Sequence, residues 1–186
     1  MSTSTSPPSS SAPLDHTHYL HLCLAQARLS PPKPTNFRVG ALLLSPSTSS
    51  EPLITGYTLE CPGNTHAEQC CFIKLAAKSS CPVEELGWHL PKDTVLYTTM
   101  EPCVRRSVGN ASCVERVLGL KGRDGRVVVR RVVVGVREPE VFVGVNEGRG
   151  ALEQAGVEVV VVEGLEMEIL EVATAGHVKE EEKDGG

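Results

Sequence analysis

The stretch "NTHAEQCC", residues 64 to 71, sets a histidine, a glutamate and two cysteines within eight positions. Imidazole nitrogen and thiolate sulfur are ordinary zinc ligands, and a carboxylate beside such a metal serves as a proton carrier. Further along, Cys103 follows Pro102, and Cys113 comes after a spacer of nine residues, "VRRSVGNAS". A catalytic zinc takes three protein ligands and keeps a fourth position for water. His66, Cys103 and Cys113 make up such a set. Glu68 lies two residues past His66 and, from the first turn of a helix, can look toward the same metal. There it can take a proton from water and hand it to a leaving amine.

Cys70 competes as a ligand because it sits four residues past His66, on one helical face. A small buried thiol is its commoner role, and ligation by Cys70 would leave Glu68 without a task. Cys23, Cys61, Cys71 and Cys81 have no regular metal spacing and read as free thiols. His16, His18 and His21 are not spaced as a helical metal pair and read as surface histidines. Seven cysteines, an odd count with no apolar segment at the start, point to a reducing setting and to the cytoplasm, with the nucleus as the alternative.

The elements that must position these groups follow from periodicity and punctuation. Asp15 caps a helix expected over 16 to 29, ended by "SPPKP". "FRVGALLLS" (37 to 45) and "LITGYT" (53 to 58) read as a hairpin. Asn64 or Thr65 can cap a helix running to about 78. "TVLYTTM" (94 to 100) is a strand that stops before Pro102, and "CVERVLGL" (113 to 120) is a short helix. "VVVRRVVVGV" (127 to 136) and "VEVVVV" (157 to 162) are too apolar to have a wet face. A helical stretch within 144 to 156 separates them, so the connection is a crossover and the last two strands are parallel. A closing helix is expected at 165 to 175. The fold class is therefore α/β, a single three-layer α/β/α domain with a mixed five-stranded sheet. Its domain spans 15 to 176, between a disordered Ser/Thr/Pro-rich tail (1 to 14) and a charged flexible tail (177 to 186). The three ligand positions all fall at strand-to-helix turns, on one edge of that sheet.

With 186 residues and 40% hydrophobic content the chain can bury a core without staples. The net charge of −5 and the lack of any long basic run exclude a phosphate-backbone surface as the leading idea. Trp88 is the one tryptophan and the other aromatics are scattered, so no stacking platform for single strands is present. No apolar run reaches the length of a membrane helix.

The order "HAE" then "EPC" matches the zinc base deaminase signature H-x-E followed by P-C-x-x-C, except that the cysteines are nine residues apart instead of two. A longer loop closes at only a modest logarithmic cost. With "NFRVGALL", "GNTHAEQC", "YTTMEPC" and "GNASCVERVL", the chain from about 15 to 176 resembles the cytidine deaminase-like superfamily. Within it, the resemblance is to the fungal diaminohydroxyphosphoribosylamino-pyrimidine deaminases of riboflavin biosynthesis, in which the stretch between the cysteines is long.

That resemblance implies that His66, Cys103 and Cys113 hold zinc and that Glu68 shuttles protons. It further implies that Asn36 contacts the pyrimidine ring, that Ala67 offers its backbone to the same ring, and that the chain self-associates as a homodimer or larger. Ser112 stands where this family often has proline, and "SVGN" stands for its Leu-Ser-Gly-Asn segment. Arg38, Arg105 and Arg106 suit a substrate phosphate, since guanidinium groups recognise it well; a solvated charge is the plain alternative. The expected activity is hydrolytic deamination of an aminopyrimidine, with the phosphorylated riboflavin precursor as substrate. A cytidine, deoxycytidylate, cytosine or nucleic-acid base deaminase is the alternative, and a non-catalytic zinc-stabilised module is the reading from another class.

Overall fold

β-Branched and leucine side chains run without a polar face through the strands that carry the site. β1 (Gly40–Leu44) and β3 (Thr94–Met100) are buried at every residue, and β4 (Val129–Val136) is buried from Val132 onward. Strands buried on both faces require helices on both sides. A computed structural model describes residues 13 to 137 and 147 to 177. The remaining elements are α1 (His16–Ala27), β2 (Ile54–Tyr57), α2 (Ala67–Lys78), α3 (Cys113–Gly119), α4 (Gly148–Gln154), β5 (Glu158–Val161) and α5 (Glu166–Ala173), with a short 3-10 helix at Val83–Trp88.

The sheet order is β2-β1-β3-β4-β5. β1 pairs antiparallel with β2 and β3, while β3, β4 and β5 run parallel. The expected parallel pair is present, and β3 extends it to three strands. Alternation along β1 divides the core in two. Leu42 and Leu44 face α1 and α5 with Leu20, Leu24, Ile169 and Ala173, while Ala41 and Leu43 face the α2 side with Phe72, Leu75, Val117 and Leu152. This is the three-layer arrangement expected from the sequence.

Three details differ from expectation. Val83–Trp88 forms a 3-10 helix where periodicity predicts no element, because six residues are too few to display a period. Leu14 packs against the α1-side core, and the His177 ring lies 4.8 Å from that of Phe37, so both belong to the packed body; Pro13 is exposed, and residues 1 to 12 and 178 to 186 lie outside the described residues. His16 is partly buried, its Nδ1 lying 2.9 Å from the Tyr97 hydroxyl, because β3 presents that tyrosine beneath the first turn of α1. No helix among the described residues is long and apolar enough to cross a membrane.

Candidate active site

The site is built where β2 and β3 hand over to the helices that follow them. After β2 the chain turns through Gly63, whose φ of +87° is the left-handed conformation that glycine adopts without strain. Thr65 sends its hydroxyl back to the Cys61 carbonyl at 2.8 Å. The expected cap at Asn64 or Thr65 is therefore displaced: His66 occupies the N-cap of α2 and makes no side-chain cap bond. Its imidazole points at sulfur instead, with Nδ1 at 3.5 Å from Cys103 Sγ and 3.4 Å from Cys113 Sγ.

Cys103 comes three residues after β3, and its carbonyl accepts the Val114 N–H at 3.2 Å, tying the β3 exit to the first turn of α3. The Cys113 N–H also donates to Cys103 Sγ, at 3.5 Å. Ser112 has a structural task here: it caps α3, accepting from Glu115 N–H at 3.1 Å while its own N–H donates to Glu115 Oε2 at 2.7 Å. This reciprocal capping box fixes the turn that presents Cys113, where proline would supply only a fixed backbone angle.

Among the described residues, one ligand atom from each of His66, Cys103 and Cys113 lies within 4.8 Å of the others. Two sulfurs and one imidazole nitrogen converging, with no fourth donor in the group among the described residues, fit zinc with an open coordination position. The hydrogen bond from Cys113 draws Cys103 well below the ordinary thiol range against the effect of burial, and His66 adds to it. The same contact, with burial and the nearby Glu68, pushes Cys113 up. The two thiols are thus driven in opposite directions, and binding a metal requires both as thiolates, so it would release protons.

Glu68 is 3% exposed and stands directly behind the donors. Its Oε2 accepts from Cys113 Sγ at 3.4 Å and its Oε1 lies 3.1 Å from the Thr98 hydroxyl. Burial raises its pKa, opposed by the charge of His66. Thr98 is also 2.9 Å from the Met100 carbonyl. One hydroxyl proton serves one acceptor at a time, so Thr98 can support Glu68 in either protonation state. His66, Glu68 and Cys103 line a cavity of about 190 Å³, together with Asn36, Phe37 and Glu101.

The other sequence-derived positions separate clearly. Asn36 lies on the cavity wall. Ala67 opens α2 and is buried, with its carbonyl close to Gly56, and it is not among the residues that line the cavity. Arg38 lies away from the cavity lining, its guanidinium donating to the carbonyls of Ser30 and Arg28 at 2.7 and 2.6 Å. Arg105 is exposed and Arg106 reaches Gln69. Cys70 is outside the converging group: its thiol donates to Thr65 Oγ1 at 3.3 Å. Thr98 and Phe37 carry no motif of their own in the sequence; a threonine two residues before the end of an apolar strand is the one local signal for Thr98.

A family model described as the cytidine and deoxycytidylate deaminase zinc-binding region matches residues 14–136. The chain belongs to this family and carries its zinc-binding region, with His66, Cys103 and Cys113 as the candidate metal donors. A crystal structure of Aspergillus oryzae Rib2 deaminase, a C-terminal deletion mutant, is similar at 45% identity and a TM-score of 0.78, over 87% of this chain and 92% of that one. The same enzyme in complex with DARIPP matches at 44% identity and a TM-score of 0.76, over 87% and 91%. Among curated proteins, the diaminohydroxyphosphoribosylamino-pyrimidine deaminase of Schizosaccharomyces pombe is 32% identical over 165 residues, 89% of this chain. The chain spans 36% of that relative's length.

Proposed function

We propose that this protein is a zinc-dependent hydrolytic deaminase acting on the exocyclic amine of a phosphorylated diamino-pyrimidinone intermediate of riboflavin biosynthesis. The observation that carries the reading is Glu68, a buried carboxyl set between a converging His-Cys-Cys group and a cavity. The similarity to the fungal deaminases supports the choice of substrate. His66 Nδ1 and the sulfurs of Cys103 and Cys113 would hold the metal. Bound zinc supplies Lewis acidity that makes water a nucleophile near neutral pH.

The remaining work falls to the chain. Glu68 takes a proton from the water whose oxygen adds to the amine-bearing ring carbon. It passes that proton to the ring nitrogen, then takes the second proton from the hydroxyl now on the ring carbon and hands it to the amine, so a carbonyl forms as the C–N bond breaks and ammonia leaves. Thr98 steers the carboxylate through both transfers. Asn36 orients the ring, and the cavity wall of Phe37 and Met100 limits water around it. Arg105, exposed on the loop after Cys103, is a guanidinium with no carbonyl or carboxylate partner among the described residues and remains the candidate for a substrate phosphate. The protein works in the cytoplasm as a homodimer or larger assembly.

Ammonia release by the zinc-loaded protein tests this, with the ribosyl phosphate precursor offered alongside cytidine, cytosine and deoxycytidylate and Glu68→Ala as the blank. Turnover of the precursor is expected. Turnover of cytosine compounds instead would move the substrate and keep the chemistry, while silence on all four with zinc present would point to a non-catalytic module.

A further inference from the structure

The loop between the two cysteines reaches back to the rim of the cavity, and one of its side chains ties three other segments together. The Arg106 guanidinium donates to Gln69 Oε1 on α2 at 2.8 Å and, through its second terminal nitrogen, to the backbone carbonyl of Asn64. Asn64 in turn accepts at its side-chain oxygen from Asn36 Nδ2 at 2.9 Å. Asn36 lines the cavity, and its own side-chain oxygen accepts from the Thr35 hydroxyl at 3.2 Å. A relay of hydrogen bonds thus runs from the 104 to 112 loop, across the approach to α2, to the segment that walls the cavity.

Each link in the relay is directional. Arg106 is half-buried and no ion pair of the described residues includes it, so hydrogen-bond geometry holds it in place. A planar guanidinium spans two acceptors on different segments at once, which the point charge of a lysine does not reproduce. The carbonyl of Asn64 lies two residues before His66, in a turn that includes exposed Gly63. Without Arg106, the β2–α2 turn loses its tie to the 104 to 112 loop, and the Asn64 side chain that sets the Asn36 amide plane is less firmly held.

We propose that Arg106 is a positioning residue: it acts through Asn64 to fix Asn36 at the cavity wall, and it does not bind the substrate's phosphate. This rests on the reading of the cavity as a pyrimidine site, and gives the long spacer between the cysteines a role in shaping substrate orientation.

The test compares Arg106→Ala, Arg106→Lys, Asn64→Ala and the Arg106→Ala/Asn64→Ala double variant with the wild type. Backbone hydrogen exchange of the zinc-loaded, substrate-free proteins comes first. Loss of Arg106 should speed exchange at 62 to 66 and also at 33 to 38; faster exchange at 62 to 66 alone overturns the relay. Kinetics come second, using the phosphorylated precursor and its dephosphorylated counterpart. A misplaced ring contact should lower kcat/KM by roughly 10- to 100-fold. The loss should be equal for both compounds, should persist in the lysine variant, and should not deepen in the double variant. A loss confined to the phosphorylated compound makes Arg106 a phosphate ligand and overturns the proposal. If the wild type turns over neither compound, the pyrimidine reading fails, and the exchange pattern alone decides the relay.

Discussion

Glu68 shows how one side chain acquires a task from its surroundings. A carboxyl with two exposed oxygens would stay ionised and gain nothing from its neighbours. At 3% exposure, with Cys113 and Thr98 on its two oxygens, it is pushed toward the range in which a proton can move both ways. Glu68→Gln keeps shape and one acceptor but cannot carry the proton, so turnover should fall by about 10²- to 10⁴-fold, the usual worth of a positioned acid or base. Zinc content, measured by metal analysis on the same preparation, should be unchanged; equal loss of metal would make Glu68 a structural support instead. At the opposite edge of the sheet, His16 gives a prediction about pH. Partial burial at the start of α1 and the charge of Arg131 lower its pKa from the usual 6.5 or so, outweighing Glu158 and Asp15. A group with a depressed folded pKa binds fewer protons in the folded protein than in the unfolded chain. Its contribution is therefore complete above the unfolded pKa and is lost as pH falls through the folded one. Denaturation midpoints should drop on acidification below about pH 6.5, and His16→Gln should flatten part of that slope; an unchanged slope would assign it to other groups.

Strands and helices place these side chains, and much of that placement could be read in advance. The apolar runs at 127 to 136 and 157 to 162 read as strands with no wet face, which holds for β4 from Val132 onward but not for β5, an edge strand with Glu158 exposed; the helical stretch between them forced a parallel pair. His66, Cys103 and Cys113 stood at strand-to-helix turns, so their convergence followed once the sheet order brought β3 beside β1, with β2 at the edge. Contacts made by side-chain reach were not legible. Nothing local to "VRRSVGNAS" announces that Arg106 reaches back to Asn64, and nothing local to Tyr97 announces His16 above it. Such contacts depend on how elements pack, which periodicity does not encode. Gly56 on β2 is another of these tertiary dependencies. A Cβ there would sit 2.7 Å from the Ala67 carbonyl oxygen and 2.9 Å from Cys71 Sγ, both on α2. Backbone oxygen cannot swing aside as a flexible side chain can, so Gly56→Ala must push the first turn of α2 away from the sheet. The expected cost is about 1 to 3 kcal/mol, as for other overpacked cores. Thermal unfolding reads that cost, and activity should fall beyond it because His66 and Glu68 ride on the displaced turn; an unaltered melting temperature with full turnover would show that β2 yields instead.

For the molecule as a whole, the division of labour between core and metal site decides what zinc removal does. Two apolar cores lie on opposite faces of one sheet, and neither includes His66 or Cys103. The capping box of α3 and its packing through Val114 and Val117 use none of the three metal donor atoms. Small zinc modules that lack such a core unfold without their metal. Here the metal should act as a ligand that adds to an already folded state. At free zinc about 100-fold above its dissociation constant, that addition is about 2.7 kcal/mol. For a chain of this size each kcal/mol moves the midpoint by roughly 2 to 4 °C, so chelation should lower it by about 5 to 10 °C. The transition should stay cooperative, the far-ultraviolet circular dichroism of the metal-free protein should match that of the loaded form, and restoring zinc should restore the midpoint. Collapse of helical signal on chelation would instead show that the turns bearing Cys103 and Cys113 cannot form until the metal joins them, making the site part of the fold's nucleus.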